Sequence, residues 1–152
     1  MVTTMGKNMR SAGVVVLRKD KKDVYRILCL QCHPHWDIPK GQIDEEEVPF
    51  QTAKRELKEE TGLASKDVRY FKNKAGKVVK RDLPYILKNS GKRKIVRLYL
   101  AETKATKISL SKEHQNCKWL KYEDAKMFLP PRFKGLMRWI APIMNKEVTC
   151  VS

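Results

Sequence analysis

The feature that most constrains this chain is a stretch bounded by a proline and a glycine, Pro49 and Gly62. Proline suits the first turn of a helix, and glycine suits the residue that follows its last turn. No other proline or glycine lies between them. The sequence therefore predicts one helix over residues 48–61, followed by a sharp stop.

Strand patterns surround this helix on both sides. Runs of β-branched, aromatic and alternating apolar residues predict strands over residues 11–17, 25–32, 68–71, 83–87, 95–101 and 117–120. Asn89, Ser90 and Gly91 supply a turn that makes a hairpin of the fourth and fifth strands. Two further helices are predicted over residues 123–129 and 133–144, the second with one apolar face. Strands mixed with few helices predict an α/β or α+β layered fold, and 152 residues fit a single domain, 1–152.

The net charge of the chain indicates the chemical class of its partners. The formal net charge is +16, which favours a polyanion: nucleic acid, a nucleoside or inositol polyphosphate, or an anionic membrane. No apolar run is long enough to span a bilayer. Residues 1–10 are polar and basic and lack the apolar core of a signal peptide. We therefore expect a cytoplasmic protein that is not embedded in a membrane.

Cys29 and Cys32 form a C-x-x-C pair, which raises the question of zinc or redox chemistry. The pair lies in a predicted strand, where positions three apart point to opposite faces. The other two cysteines, Cys117 and Cys150, form no second pair of this kind. The pattern therefore argues against a zinc site, and a reducing compartment argues against a disulfide scaffold.

The predicted helix carries acids where a helix alone would avoid them. Seven of the seventeen acids lie between Asp44 and Glu60. Glu56, Glu59 and Glu60 are three or four residues apart and share one patch, where like charges repel. Acids near the C-terminal end also oppose the helix dipole. Binding of a hard divalent cation would offset this repulsion. The simpler alternative is a solvated acidic face that is paired with Arg55.

The wider pattern decides between these interpretations. Residues 41–63 read GQIDEEEVPFQTAKRELKEETGL. This stretch resembles the Nudix signature, G-x5-E-x7-R-E-U-x-E-E-x-G-U, in which U is a bulky aliphatic residue. It matches at Gly41, Glu47, Arg55, Glu56, Leu57, Glu59, Glu60, Gly62 and Leu63. The resemblance implies an α/β/α sandwich with a mixed β-sheet and a hydrolase that cleaves phosphoanhydride bonds.

The resemblance also implies roles for individual residues. Arg55 would orient the neighbouring carboxylates by pairing with Glu47. The general base would come from the helix itself, through Glu59 or Glu60, or from Glu113 in a loop outside the signature. Glu113 could equally be an exposed loop acid. The implied ligands of Mg²⁺ (or Mn²⁺) are the Gly41 carbonyl and the carboxylates of Glu56, Glu59, Glu60 and Glu113.

Segments on either side of the signature bear on the identity of the substrate, which we expect to be a nucleoside polyphosphate. Residues 35–41 (HWDIPKG), 94–100 (KIVRLYL) and 110–115 (LSKEHQ) resemble segments of the asymmetric dinucleoside tetraphosphate hydrolases. Tyr85 could instead be a packing residue, and Lys94 a solvated hairpin charge. By this resemblance the contacts to distal phosphates or a base would come from His35, Lys40, Tyr85 and Lys94.

Two basic stretches, residues 72–81 and 88–97, exceed what a small dinucleotide needs. They keep open a second interpretation, an RNA 5′-pyrophosphohydrolase that acts on triphosphorylated RNA ends, since phosphate contacts carry most non-specific affinity for nucleic acid. A diphosphoinositol polyphosphate hydrolase and a non-catalytic RNA-binding module are further alternatives. The clustered acids argue against the last. Either a monomer or a homodimer fits each interpretation.

Overall fold

The computed structural model describes residues 9–86 and 90–145, with only the backbone of Met9 and Tyr85. The predictions for residues 1–8, for residues 87–89 and for Cys150 fall outside the described residues. Eight strands are present: β1 Met9–Lys19, β2 Tyr25–Cys32, β3 His35–Asp37, β4 Lys40–Gln42, β5 Val68–Tyr70, β6 Lys80–Ile86, β7 Arg93–Thr103 and β8 Asn116–Leu120. Three α-helices complete the fold: α1 Pro49–Thr61, α2 Tyr122–Phe128 and α3 Lys134–Met144.

All eight described strands belong to one mixed sheet, in which five follow the order β3-β2-β1-β7-β5, while β4, β6 and β8 pair with β1, β7 and β2 respectively. The central pair, β1 and β7, is parallel, with Val14 opposite Tyr99. The other pairings are antiparallel: β2 with β8, β4 with β1, and both β5 and β6 with the outer edge of β7. The predicted mixed sheet is confirmed.

Strand β1 explains why the sheet is covered on both faces. Its valines are fully buried, and alternate side chains of a strand point to opposite faces. Val14 and Val16 join the core beneath α1, with Leu57. Val15 and Leu17 join the core beneath α2 and α3. A continuous apolar run is what a doubly covered strand requires, and the predicted α/β/α sandwich follows.

Helix α1 has the ends that the sequence predicts. Val48 precedes the helix with extended backbone, and Pro49 occupies its first turn. Gly62 adopts the left-handed region at φ 79°, and its N–H donates to the Lys58 carbonyl at 2.9 Å. A residue with a side chain is strained at such a φ, so Gly62 ends the helix at a defined point.

Two short strands were not predicted. Residues 35–37 and 40–42 contain a proline-interrupted polar sequence without a strand pattern, yet they pair with β2 and β1 respectively. Their pairing comes from neighbouring strand edges rather than from local propensity. The strand assignment around the C-x-x-C pair is confirmed, because Cys29 is buried and Cys32 is exposed. Among the described helices, none is long and apolar enough to cross a membrane.

Candidate active site

Two carboxylates of α1 meet the backbone of β4. Glu56 and Glu60 lie one turn apart on the same face of the helix, and Glu60 is only 7% exposed. The backbone N–H of Lys40 donates to Oε1 of Glu60 at 3.3 Å. A Cβ atom at Gly41 would overlap the carboxylate of Glu56. Glycine at position 41 therefore lets the strand approach the acidic face of the helix.

A second glycine supports this approach from below. In the β1–β4 ladder, Gly13 lies opposite Lys40, and Ala12 lies opposite Gly41. A Cβ atom at Gly13 would overlap the carbonyl of Pro39 and the side chain of Lys40. The absence of a side chain at Gly13 therefore allows β4 to lie against β1 while it holds its position under α1.

The pair of carboxylates has unusual proton affinity. Burial raises the pKa of Glu60 to about 9, and the hydrogen bond and negative charge of Glu56 act in the same direction. Two carboxylates that are close and buried cannot both be ionised cheaply. In the absence of a cation, ionisation of both carboxylates is therefore costly, and uptake of a proton by Glu60 is favoured.

Arg55 organises the carboxylates around this pair. Its Nε and Nη2 donate to both oxygens of Glu47, at 2.8 and 3.0 Å. Its Nη1 donates to Glu56 at 2.9 Å and to Glu59 at 3.1 Å, and Nη2 also reaches the Gln42 carbonyl at 3.2 Å. The predicted pairing of Arg55 with Glu47 is confirmed, and the same guanidinium links three carboxylates to the strand.

Glu47 is itself held in place from two sides. The hydroxyl of the buried Thr52 donates to Oε1 of Glu47 at 2.7 Å, and the Asp44 backbone N–H donates to the same oxygen at 3.3 Å. The hydrogen bonds from Arg55 and Thr52 lower the pKa of Glu47 to about 2. Glu47 therefore stays ionised and anchors the guanidinium of Arg55.

The loop that carries Glu113 closes one end of the site. The backbone N–H groups of Ser109 and Ser111 donate to the carbonyls of Thr61 and Glu60, at 2.9 and 3.4 Å, which ties the loop to the end of α1. Glu113 is exposed. Its neighbour His114 is half-buried, with Nδ1 at 3.2 Å from the Ser111 hydroxyl. Burial lowers the pKa of His114, and the negative charges of Asp37 and Glu113 oppose that shift.

The donor set suits a hard divalent cation. Glu60 is buried and Glu56 is partly buried, and a cation between the two carboxylates would relieve their mutual repulsion. Among the described residues, no three His, Cys, Asp or Glu side chains converge as a complete metal site. Glu59 turns to Arg55 instead, and Glu113 stays exposed. Magnesium commonly takes one or two carboxylates and completes its shell with water and phosphate, so the pair still fits it.

A cleft of about 1000 Å³ opens between β3, the ends of β6 and β7, and the connection that follows α2. Trp36 and Phe128 stand within it with ring centroids 6.1 Å apart. Its cations come from Arg93 on β7 and Arg132 after α2. The lining residues are Pro34, His35, Trp36, Pro84, Ile86, Arg93, Met127, Phe128, Leu129, Pro130, Pro131 and Arg132. Apolar walls with a few convergent cations suit an aromatic, anionic ligand.

Asp37 connects this cleft to the carboxylate pair. Its carboxylate lies 3.1 Å from Nζ of Lys40 and 3.7 Å from Nη2 of Arg132. The backbone of Lys40 in turn contacts Glu60. A chain of two ion pairs and one backbone hydrogen bond therefore runs from the wall of the cleft to the acidic face of α1.

The predicted substrate contacts divide into three groups. His35 lines the cleft, and Lys40 lies beside it with Arg132 around a smaller space. Lys94 is half-buried on β7 and is not among the described residues that line the cleft. The side chain of Tyr85 lies outside the described part of the chain, so its role stays a prediction.

Three contributors to the cleft were missed: Arg93, Phe128 and Arg132. Nothing local distinguishes these residues from other cations and aromatics in the sequence. Arg132 follows the pair Pro130-Pro131, which signals a turn and not a ligand. Only the packing of the α2–α3 connection against β3 brings Arg132 to Asp37.

A model of the NUDIX domain matches residues 7–140 of the chain. The mouse bis(5′-nucleosyl)-tetraphosphatase [asymmetrical] is 33% identical over 127 residues, which cover 77% of this chain and 82% of the mouse protein. The RNA pyrophosphohydrolase of Bartonella henselae is 38% identical over a shorter stretch of 73 residues, 41% of this chain and 42% of the bacterial one.

Solved structures give the same picture. A binary complex of the C. elegans Ap4A hydrolase superposes with a TM-score of 0.77 at 31% identity, and the match covers 91% of this chain and 98% of that one. A Nudix hydrolase from M. smegmatis, RenU, has a TM-score of 0.72 at 15% identity, which shows a shared fold alone.

Proposed function

The chain belongs to the NUDIX family of hydrolases, and we propose that it cleaves dinucleoside tetraphosphates asymmetrically, with Mg²⁺ or Mn²⁺ as its cofactor. The observation that carries this proposal is the close pair of the buried Glu60 and the partly buried Glu56 beside Gly41. A phosphate chain is repelled by bare carboxylates, so this pair has a use toward such a substrate only with a cation between them.

The proposed metal ligands are Glu56, Glu60 and the carbonyl of Gly41, with Glu59 and Glu113 as further candidates. A bound divalent cation supplies charge neutralisation and polarises the phosphoryl oxygens. Arg55 keeps the carboxylates oriented through its contacts with Glu47, Glu56 and Glu59. Residues around a metal site that orient its ligands affect activity nearly as much as the ligands do.

Two features support a nucleotide in the cleft. Trp36 and Phe128 provide aromatic surfaces on which a base can stack. Arg132 and Lys40 supply positive charge between those rings and the carboxylate pair. We propose that one nucleoside lies against the aromatic residues and that its phosphates run past Lys40 toward Glu60. His35 is a further proposed contact at the cleft wall.

Glu113 is the proposed general base, which would take a proton from the attacking water. Its carboxylate is exposed, and its loop is tied to the carbonyl end of α1. Glu113→Gln tests this role, because it removes the basic oxygen and keeps the size. A Glu113→Gln variant with a large loss of kcat and little change of KM supports the role. Unchanged kcat would assign the base to α1.

The substrate is tested by offering diadenosine tetraphosphate and a 5′-triphosphorylated RNA to the same enzyme with Mg²⁺. We expect the dinucleotide to be cleaved faster and to yield ATP and AMP. Two ADP molecules would contradict asymmetric cleavage. No hydrolysis of either compound would contradict the proposal as a whole.

An RNA 5′-pyrophosphohydrolase is the second candidate. It is favoured by the partial similarity to the bacterial enzyme of that name and by the exposed basic residues of 72–81. Faster release of pyrophosphate from the RNA in the same competition would select this function. For either substrate we propose a cytoplasmic enzyme, since Cys29, Cys32 and Cys117 are free thiols, as expected in a reducing compartment.

A further inference from the structure

Residues 72–81, the basic hairpin, form an ordered projection at the edge of the sheet. Lys72 and Val78 make an antiparallel bridge. The Asn73 side chain accepts hydrogen bonds from the N–H groups of Ala75 and Lys77 at 2.9 and 3.0 Å. Gly76 completes the turn at φ 80°. These contacts therefore hold the backbone of the hairpin in a defined turn.

The hairpin is anchored beside β7, on the side away from β1. The N–H of Phe71 donates to the Leu100 carbonyl at 2.9 Å, and the N–H of Val79 donates to the Phe71 carbonyl at 2.8 Å. Strand β5 precedes it, its last two residues begin β6, and both strands pair with β7. Its position is thus separate from the cleft, whose described lining contains none of its residues.

The hairpin carries positive charge without compensation. Its five cations are all exposed, the segment contains no acid, and none of the five has an ion-pair partner in the described ranges 9–86 and 90–145. These cations are Lys72, Lys74, Lys77, Lys80 and Arg81.

Two arginines on strands next to the hairpin, in contrast, have carboxylate partners. Arg97 pairs with Asp82 at 2.7 Å, and Arg69 pairs with Glu102 at 2.9 Å. Both carboxylates lie on strands next to the hairpin, yet neither pairs with one of the hairpin cations in the described part of the chain. Like charges held together without acids repel one another, so the bare hairpin is arranged for a negative partner.

We propose that the basic hairpin binds the phosphate backbone of nucleic acid, without preference for base sequence. An exposed projection suits a long polyanion that is contacted at successive phosphates, whereas a small nucleotide favours a concave site. The exposed residues of the hairpin include Ala75 and Gly76 but no bulky apolar or aromatic residue, since Val78 and Val79 are half-buried. It therefore has no anchor for a lipid surface and no platform for base stacking. This inference does not rest on the proposed hydrolytic function.

The experiment measures binding of a labelled RNA of about 20 nucleotides with a 5′-hydroxyl end, long enough to span the hairpin. It is done in EDTA, so that hydrolysis cannot contribute. The test variant is Lys74→Glu/Lys77→Glu. The matched control, Lys21→Glu/Lys22→Glu, makes the same charge change at exposed residues of the β1–β2 turn, where Asp20 and Asp23 lie nearby.

We expect the hairpin variant to bind RNA about ten-fold more weakly at ~0.1 M salt and the control less than about two-fold. The slope of log Kd against log salt should fall by roughly 1.4, about 0.7 for each phosphate of a single strand that the variant no longer neutralises. Thermal unfolding of both variants should match the parent protein, which keeps a folding defect distinct from a binding defect.

Three results would overturn the proposal. The parent protein could fail to bind the RNA at low salt, the two variants could lose affinity equally, or vesicles rich in phosphatidylserine could bind more tightly than RNA. Equal losses would mean that net charge alone attracts the RNA. A DNA strand of the same length should bind comparably, since the contacts are to phosphates.

Discussion

The acidic end of α1 and the basic hairpin are clusters of opposite charge, and they are organised in opposite ways. At α1, Arg55 contacts Glu47, Glu56 and Glu59, and Glu60 is almost fully buried. In the hairpin, the cations are exposed and have no carboxylate partner among the described residues.

The two regions therefore suit different ligands: the acidic site suits a cation, and the basic hairpin suits an anion. Oriented carboxylates with little exposure create a short-range site for a small hard cation. Binding and catalysis at such a site depend steeply on the positions of the ligand atoms. Exposed like charges act over the Debye length and weaken as salt is added. We therefore expect substitutions at α1 to change turnover by orders of magnitude, and substitutions in the hairpin to change mainly salt-dependent binding.

The largest effect should come from Glu60→Gln, which removes one carboxylate of the buried pair but keeps its shape. We expect kcat for the dinucleotide to fall about 10³-fold, since metal-assisted charge stabilisation contributes several kcal/mol. Glu46→Gln, an exposed acid of the same acidic run, is the control and should stay near the parent rate. Turnover by Glu60→Gln at the parent rate would remove Glu60 from the metal site.

Arg55→Lys should have the next largest effect. A lysine keeps the charge but cannot make the bidentate contact with Glu47 while it also reaches Glu56 and Glu59. We expect a loss of roughly 10- to 100-fold, as is usual for residues that orient metal ligands. The Mg²⁺ concentration for half-maximal activity should rise. If it does not change, Arg55 acts on something other than the carboxylates.

Arg132→Ala tests the link between the cleft and the acidic site. Loss of this cation should raise KM for the dinucleotide roughly ten-fold, since a charged hydrogen bond contributes about 1.5–3 kcal/mol. Arg138→Ala, which removes an arginine outside the described lining of the cleft, should leave KM unchanged. A change confined to kcat would argue against a binding role for Arg132.

The buried pair also predicts a pH dependence of stability in the metal-free protein. The pKa of Glu60 is raised in the folded state to about 9 from an ordinary 4.5, so the folded protein binds the proton more tightly. The stabilisation is present at low pH and is lost as the pH rises between these values. We expect Tm in EDTA to fall across that window, and Glu60→Gln to flatten the curve. A parent Tm that rises from pH 6 to 9 would contradict the shared proton.

The smallest effect should be on the stability of the hairpin itself. Lys74→Ala/Lys77→Ala removes like-charge repulsion, and we expect a gain within about 0.5 kcal/mol in the free energy of unfolding. Urea denaturation at low salt measures it, and added salt should erase the gain. A clear loss of stability would mean that these lysines contribute contacts beyond their charge.

Much of the site was predictable because its determinants are local. The spacing of Glu56 and Glu60 sets their common face on any helix, and Gly62 ends that helix wherever it folds. The pairing of Arg55 with Glu47 also followed from the family resemblance and is present in the structure. Substrate contacts were harder to predict, because His35, Lys40 and Lys94 belong to different strands, and only the first two lie at or beside the cleft.

The sequence by itself determined the family, the ends of α1, the central strands and the identity of the clustered carboxylates, since periodicity, helix ends and fixed spacing act within a few residues. Tertiary structure decided the rest. The pairing of β4 with β1 places Gly41 under Glu56, and the α2–α3 connection brings Arg132 to Asp37. It also leaves the basic hairpin without acids. These outcomes depend on which strand edges meet in space. The local sequence does not indicate which residues far apart in the chain will become neighbours.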